Sequence, residues 1–388
     1  MPQAVIVSAV RTPIGRAFKG TLRDTSAEEL ATAVVRAAVE RSGLAPADVD
    51  DVILGEELAG GGDIARYAAV ATGMTRAPGQ AVNRHCAASL AAVGNAAATI
   101  RAGMDRVVVA GGTHAPSRNP TLSWRVPGST EPRIGFNPTF PYYEGANDDV
   151  AVAVGWSAAQ EVGITREEMD AWAKRSHDRA IAAIDAGVFA DEILPLDVVV
   201  GGEKVRFEVD EHPRRGTTLA QLAALKPLRP AIEGFSITAG NASGVNDAAA
   251  ALTLVADHVA ADRRLQPLAR VRAWAAVGVA PERCGMGAVE VIPRVLERAG
   301  LGVGDIDLWE INEAFASTPI AACRVLGIDD ARVNIYGSGC SLGHPVAASG
   351  ARMLTTLAHE LRRRGGGIAV AAMCAAGGQG GAVVIEAS

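Results

Sequence analysis

The chain repeats itself. "VERSGLAPADVDDVILGEELA", beginning at Val39, aligns without a gap on "LERAGLGVGDIDLWEINEAFA", beginning at Leu296, with Gly43 over Gly300 and Asp48 over Asp305, the same 257-residue offset for both. Each copy reads as an amphipathic helix ended by a glycine C-cap, a short turn with Asp, and an apolar strand. A second match sets "CAASLAAVGNAAATIRAGMDRVVVAGG" on "HPVAASGARMLTTLAHELRRRGGGIAVAAMCAAGG": helix, glycine, buried strand, glycine pair. Two such units predict an α/β fold of parallel-rich sheets with helices packed on them, its halves related by a pseudo-two-fold axis. The halves are 1–115 with about 236–264, and 265–388. Segment 116–235 belongs to neither copy. It opens with "APSRNPTLSWRVPGSTEPRIGFNPTFPYYEG", rich in Pro, Gly and aromatics, and continues into "TREEMDAWAKRSHDRAIAAIDAG", a helix with a Thr-x-x-Glu capping box. This predicts an inserted loop domain, a lid or binding loop.

Composition narrows the function. With 388 residues, 49% hydrophobic but only 4% aromatic, the core must be built from Ala, Val, Leu and Ile, and the chain is long enough to fold without staples. The net charge of −6, with both signs scattered, leaves no basic stripe for a phosphate backbone, so no nucleic-acid partner is expected. No stretch reaches the ~20 apolar residues of a bilayer span, and the N-terminus lacks a signal peptide's basic and apolar regions, so no membrane partner and a cytoplasmic location are expected. Cys86, Cys284, Cys323, Cys340 and Cys374 are odd in number and irregularly spaced, with no CxxC pair, which predicts reduced thiols available for chemistry. His85, His114, His177, His212, His258 and His359 show no metal-ligand spacing; they are expected at the surface or in supporting contacts, and no metal is expected.

The repeat sets Cys86 and His344 at near-equivalent helix starts, 258 residues apart. Amides at a helix N-terminus favour a thiolate, so Cys86 reads as a nucleophile, or else as a small buried hydrophobe. His344, in "GCSLGHPVAASG" with Pro345 at the first helical position, reads as a catalyst or a cap. Asn312 in "WEINEAFAS" ends the strand that carries Gly55 in the other copy, where parallel-sheet sites form, or is a turn residue. Cys374 in "AVAAMCAAGGQGGAVVIE" is delivered by an apolar strand to a glycine-rich turn, which is either a ligand approach or a hairpin. Ser243 in "TAGNASGVNDAAAALTLVA" reads as a hydrogen-bonding loop for an extended ligand or as a capped turn.

Taken in order, "RTPIGR", "VNRHC", "VVAGG", "TREEMDAWAKRSH", "TAGNASGVNDAAAA", "DIDLWEINEAFA", "LGHPVAASGAR" and "CAAGGQGG" resemble the thiolase family nearly end to end. The resemblance implies αβαβα layers built on two mixed five-stranded sheets, with an inserted loop domain that helps bind coenzyme A, and a homodimer or homotetramer. It implies acyl transfer between a 3-ketoacyl-CoA and CoA, giving acetyl-CoA and a shortened acyl-CoA, or the reverse condensation. No permanently bound cofactor is implied; CoA is co-substrate, and acyl-CoA and CoA are the partners. By the same resemblance Cys86 is the acylated nucleophile, Cys374 moves the α-proton, and His344 activates the nucleophile and lines an oxyanion hole. Asn312 holds a water in that hole, the backbone at Cys86 and Ala376 forms the other hole, and Ser243 contacts the pantetheine arm.

The chain departs from the family pattern in places. Ala87, Ala88 and Ser89 stand where small residues ending in Gly are usual, which is expected to narrow the groove. Ala376 stands where Gly permits positive φ, which is expected to alter an oxyanion hole. "GSGCSLGHP" brings Cys340 near His344, with a structural role expected, and "PYYEGANDDVAVAVGWSAAQ" is expected to shape the acyl pocket. These departures motivate the alternative, an acyl-CoA-binding relative that does not catalyse thiolysis.

Overall fold

The computed structural model describes residues 1–59, 62–135, 140–141 and 149–388. The first half contributes β1 (Ala4–Arg11), α1 (Ala27–Ser42), β2 (Asp51–Gly55), β3 (Gly79–Val82), α2 (Ala88–Ala102) and β4 (Val107–His114). The insertion contributes α3 (Arg166–Asp185), and β5 (Asn246–Ala256) returns to the first half. The second half contributes β6 (Ala269–Gly278), α4 (Gly287–Ala299), β7 (Leu308–Ile311), α5 (Ser317–Leu326), α6 (Ser349–Arg364), β8 (Gly367–Ala375) and β9 (Gln379–Ala387).

The repeat is visible element by element. Helix α1 ends at Gly43 with φ +76° and α4 at Gly300 with φ +65°; each is followed by a 3-10 turn with Asp (Pro46–Asp48, Val303–Asp305) and then a strand. Strands run in the order β7-β8-β9-β6-β1-β5-β4-β2-β3. Toward the outer edge of each half the pairs are parallel, β2 with β3 and β4 and β7 with β8, and the rest toward the junction are antiparallel. The halves meet where β1 pairs with β6 at only two positions, Val5 with Arg270 and Ile6 with Ala269. The symmetry is incomplete at one edge. The counterpart of β3 is a lone bridge between Trp309 and Val333, so among the described residues the second half has four strands where five were expected.

Helix α1 covers the outer face of the first half and α4 that of the second, while α2 and α6 lie between the two sheets and touch strands of both, giving αβαβα layers. The central position explains the small residues of α2. A Cβ on Gly350 of α6 would stand 2.5 Å from Leu90 Cγ, and one on Gly94 would stand 2.7 Å from the Trp274 ring. Helices squeezed between two sheets have no room for larger groups, and their burial on all sides replaces the usual apolar stripe.

The insertion carries α3, with the expected capping box between Thr165 and Glu168, and a hairpin, Leu196–Val200 with Glu203–Phe207. It is tied to the first half by Arg11, fully buried, whose guanidinium meets Glu192 at 2.6 Å and Asp210 at 2.8 and 2.9 Å. Residues 142–148 of the stretch expected to shape the acyl pocket lie outside the described residues; Ala151–Trp156 forms a wide π-type turn whose Gly155 abuts Phe315.

Candidate active site

Parallel strands deliver their C-terminal ends to one place in each half, and the two places face each other across the N-termini of α2 and α6. Gly55, at the end of β2, lies so close to α2 that a Cβ there would stand 2.7 Å from the Ser89 nitrogen; one on Gly112 would stand 2.1 Å from the Ala347 carbonyl. Cys86 lies in the 3-10 turn His85–Ala87 that opens α2, and His344 precedes the turn Val346–Ala348 that opens α6. Pro345 therefore stands just outside the first turn, not at its first position. From the second half come Asn312, just past β7, and Cys374, in β8.

Cys86 is half-buried, whereas Cys374 is buried. Cys86 sits in the first turn itself, at the N-terminal end of α2. Burial pushes the thiol well up, the Glu57 carboxylate and the neighbouring Cys374 and Cys284 push the same way, and the opposing influence is the Ala376 N–H of the other half. Burial and then Cys284 push Cys374 up to about 12, with the nearby Thr318 hydroxyl a weaker influence the other way. Both thiols rest protonated. His344 is held down to about 3, first by burial and then by the neighbouring His114 ring and the Arg352 cation, so it rests as neutral imidazole.

Its tautomer follows from its partners. The Ser349 hydroxyl donates to the Pro345 carbonyl at 3.0 Å and lies 2.6 Å from His344 Nδ1, so that nitrogen donates to it and Nε2 is left as a base. The His344 backbone N–H is held by Asn246 Oδ1 at 3.1 Å. Asn312 is fully buried, its Nδ2 is a long 3.4 Å from both ring nitrogens, and its Oδ1 has no partner. A buried carboxamide left this way fits a bound water or a substrate group. Proton transfer from Cys86 to His344 runs uphill in the empty site, so it must be coupled to formation of an oxyanion that donors stabilise.

The departures at the helix start are accommodated. Ala87, Ala88 and Ser89 are fully buried, so they face the helix packing and leave the groove unnarrowed. Ser89 Oγ accepts from the Ala351 N–H of α6 at 2.9 Å, joining the two helix starts. In the last turn the left-handed residues are Gly377 (φ +78°) and Gly378 (φ +75°); Ala376 is not among them, so its methyl costs no strain. Cys340 is buried, with Sγ 3.7 Å from the Asn241 and Glu313 carbonyls.

Ser243 lines a cavity of about 770 Å³, whose rim carries Arg16, Lys19, Arg214 and Arg215. Its inner wall, Ala242–Val245, bridges Phe315 on one side and His344 on the other, and the Ser243 N–H bonds the Ala314 carbonyl at 2.9 Å. Four cations on an otherwise acidic chain favour an anionic ligand there.

Several residues at the site carried no local signal. Glu57, Ser349, Asn246, Cys284 and Thr318 come from separate segments and meet only in the fold. Of the histidines expected at the surface or in support, His114, His177 and His212 are buried, and His85 hydrogen-bonds Glu57. Adjacency to Cys86 was the signal available for His85. Among the described residues no group of three or more His, Cys, Asp or Glu is placed to hold a metal, and no helix is long and apolar enough to cross a membrane.

Comparison with known proteins agrees along the whole length. The family descriptions "Thiolase, N-terminal domain" and "Thiolase, C-terminal domain" match residues 4–258 and 265–387. An acetyl-CoA acetyltransferase of Pseudomonas aeruginosa is 41% identical over 375 residues, 94% of each chain. The crystal structure of a Bacillus anthracis acetyl-CoA acetyltransferase superposes with a TM-score of 0.92 at 38% identity, covering 100% of this chain and 99% of that one. Human mitochondrial 3-ketoacyl-CoA thiolase superposes with a TM-score of 0.88 at 35% identity, with the same coverage. With a repeat, a layered fold and full-length likeness all in agreement, this chain belongs to the thiolase family.

Proposed function

We propose that the chain is an acyltransferase that moves an acyl group between a 3-ketoacyl-CoA and CoA through an acyl-Cys86 intermediate, releasing acetyl-CoA. Cys86 gives its proton to His344 Nε2 as its sulfur attacks the keto carbon; the oxyanion formed is met by backbone N–H groups at Cys86 and Ala376. The carbon–carbon bond then breaks and the acetyl-CoA enolate takes its proton from Cys374; CoA thiol gives its proton to the Cys374 thiolate as its sulfur takes the acyl group, and the departing Cys86 sulfur recovers its proton from His344. The enolate oxygen is met by His344 and by a water on Asn312, whose free Oδ1 supports that assignment. CoA is co-substrate, with its phosphates at the basic rim and its pantetheine arm along Ser243. In this reading 116–235 acts as the loop domain over that cavity.

What carries the proposal is that the turn holding Cys86 packs both on β8, which carries Cys374, and on the turn that follows His344, while Asn312 Nδ2 lies 3.4 Å from the His344 ring. The test is covalent. Incubation with acetoacetyl-CoA without CoA, followed by acid quench and peptide mass spectrometry, should find one acetyl group on Cys86. Acetylation elsewhere, or none while thiolysis proceeds, would overturn the assignment.

A further inference from the structure

One carboxylate beside the site has no part in the chemistry above. Glu313 follows Asn312 in the chain, is fully buried, and accepts four hydrogen bonds, none of them from a cation. Its Oε1 receives Trp172 Nε1 and Asn334 Nδ2, each at 2.8 Å, and its Oε2 receives the Ser176 hydroxyl at 2.6 Å and the Cys340 N–H at 3.1 Å. These donors come from three segments that meet around Asn312. The Asn334 carboxamide brackets Ile311, accepting its N–H and donating to its carbonyl, each at 2.8 Å, so the residue before Asn312 is tied to Glu313 as well. The bond from Cys340 holds its loop so close that a Cβ on Gly339 would stand 2.5 Å from the Glu313 carbonyl oxygen and 3.1 Å from Asn312 Oδ1. Trp172 and Ser176 lie one turn apart on α3 of the insertion, and Ser176 Oγ also accepts the Ser338 N–H at 3.2 Å.

We propose that Glu313 is a positioning residue for the enolate step: it gathers β7, the 338–340 loop and α3 around Asn312, and so fixes the carboxamide that holds the water. The proposal rests on the reading of Asn312 as part of the enolate's oxyanion hole. A carboxylate suits the position because Trp172 Nε1, Asn334 Nδ2 and the Cys340 N–H can only donate, and two accepting oxygens are needed to receive them together with Ser176. Asn334 cannot turn over, since its Oδ1 is held by the Ile311 N–H. An amide at 313 would therefore set its NH2 against a donor on either side, Trp172 and Asn334 on one or Cys340 on the other, and leave that donor buried without an acceptor. His344 is tied separately, by Asn246 at its backbone and Ser349 at its ring, so Glu313 acts on the enolate hole and leaves the base of Cys86 in place.

The experiment compares two reactions. Exchange of the acetyl group between acetyl-CoA and isotopically labelled CoA needs acyl-Cys86 but forms no enolate, whereas thiolysis of acetoacetyl-CoA needs both. Glu313→Gln should lower kcat for thiolysis about 10-fold through misplacement of the carboxamide, with KM unchanged and acetyl exchange within about 2-fold of wild type. Trp172→Phe removes one donor from a side chain that lines a separate cleft with Cys323 and Ile328, and should show the same split at about 3-fold. Should Glu313→Gln fail to fold, Trp172→Phe decides by that split. Glu313→Gln combined with Asn312→Ala should be no slower in thiolysis than Asn312→Ala alone, because Glu313 acts through Asn312. Equal losses in the two reactions, wild-type thiolysis in both Glu313→Gln and Trp172→Phe, or an additive double variant would overturn the positioning role and leave the function standing. A wild type that performs neither reaction overturns the function and this inference with it.

Discussion

Asn312 and Ser89 illustrate two ways a single residue matters here. The Asn312 carboxamide is buried with an open oxygen, so its value lies in what binds to it. Asn312→Ala should lower kcat/KM about 100-fold, the ~3 kcal/mol expected for one lost oxyanion donor, with thermal stability nearly unchanged; steady-state kinetics beside a melting curve separates the two. Ser89 does the opposite. Its hydroxyl accepts from Ala351 N–H between helix starts, so Ser89→Ala should cost ~1 kcal/mol of stability in urea unfolding and leave the KM for acyl-CoA unchanged. Residue types were legible in sequence where a motif carries them: Cys86, Cys374, His344 and Asn312 all meet. Their environments were not legible. That the turn carrying Cys86 packs on the strand carrying Cys374 depends on how the halves face each other, which no local pattern records.

At the scale of elements, glycines divide by cause. Gly43 ends α1 at φ +76° with nothing within 4 Å of a Cβ, so Gly43→Ala should cost only about 1 kcal/mol of backbone preference. Gly55 has no such conformation, but its Cβ would meet the backbone of Ala88, Ser89 and Ala347 within 3 Å. Gly55→Ala should therefore cost more, about 1–3 kcal/mol of overpacking, and disturb the turn that holds Cys86. Comparing melting temperatures of the two variants tests this; equal shifts would contradict close packing at the helix start. The repeat announced α1, α4 and the strands after them because cap, turn and strand each have a compositional signature. The missing fifth strand was not announced, since Val333 forms a single bridge from a segment with no strand pattern. The hairpin Leu196–Val200 with Glu203–Phe207 also went unseen. Its apolar side chains, Val198 and Phe207, pack on the outer core of the first half, and so are fixed by tertiary contact.

For the whole molecule, buried imidazoles set the acid limit. His177 is held down to about 4 and His344 to about 3, mainly by burial. Their stability contribution is complete above the unfolded value near 6.5 and is lost as pH falls toward those folded values, because the unfolded chain takes up protons that the folded one refuses. Between pH 7 and pH 5 each should cost about 2 kcal/mol, so urea midpoints should fall on acidification and His177→Gln should remove about 2 kcal/mol of the drop. Arg11 acts at the same scale. It joins β1 to Glu192 and Asp210 of the insertion with no solvent contact, so Arg11→Ala should cost about 3–5 kcal/mol by leaving two carboxylates buried without their cation. The central claim, that both halves jointly perform acyl transfer on CoA esters, is tested most directly by CoA-dependent loss of acetoacetyl-CoA enolate absorbance in wild type, Cys86→Ser and Cys374→Ala. The account predicts consumption by wild type and its loss in each variant. Turnover surviving Cys86→Ser, or CoA esters bound without turnover of acetoacetyl-CoA or of longer 3-ketoacyl-CoAs, would contradict it.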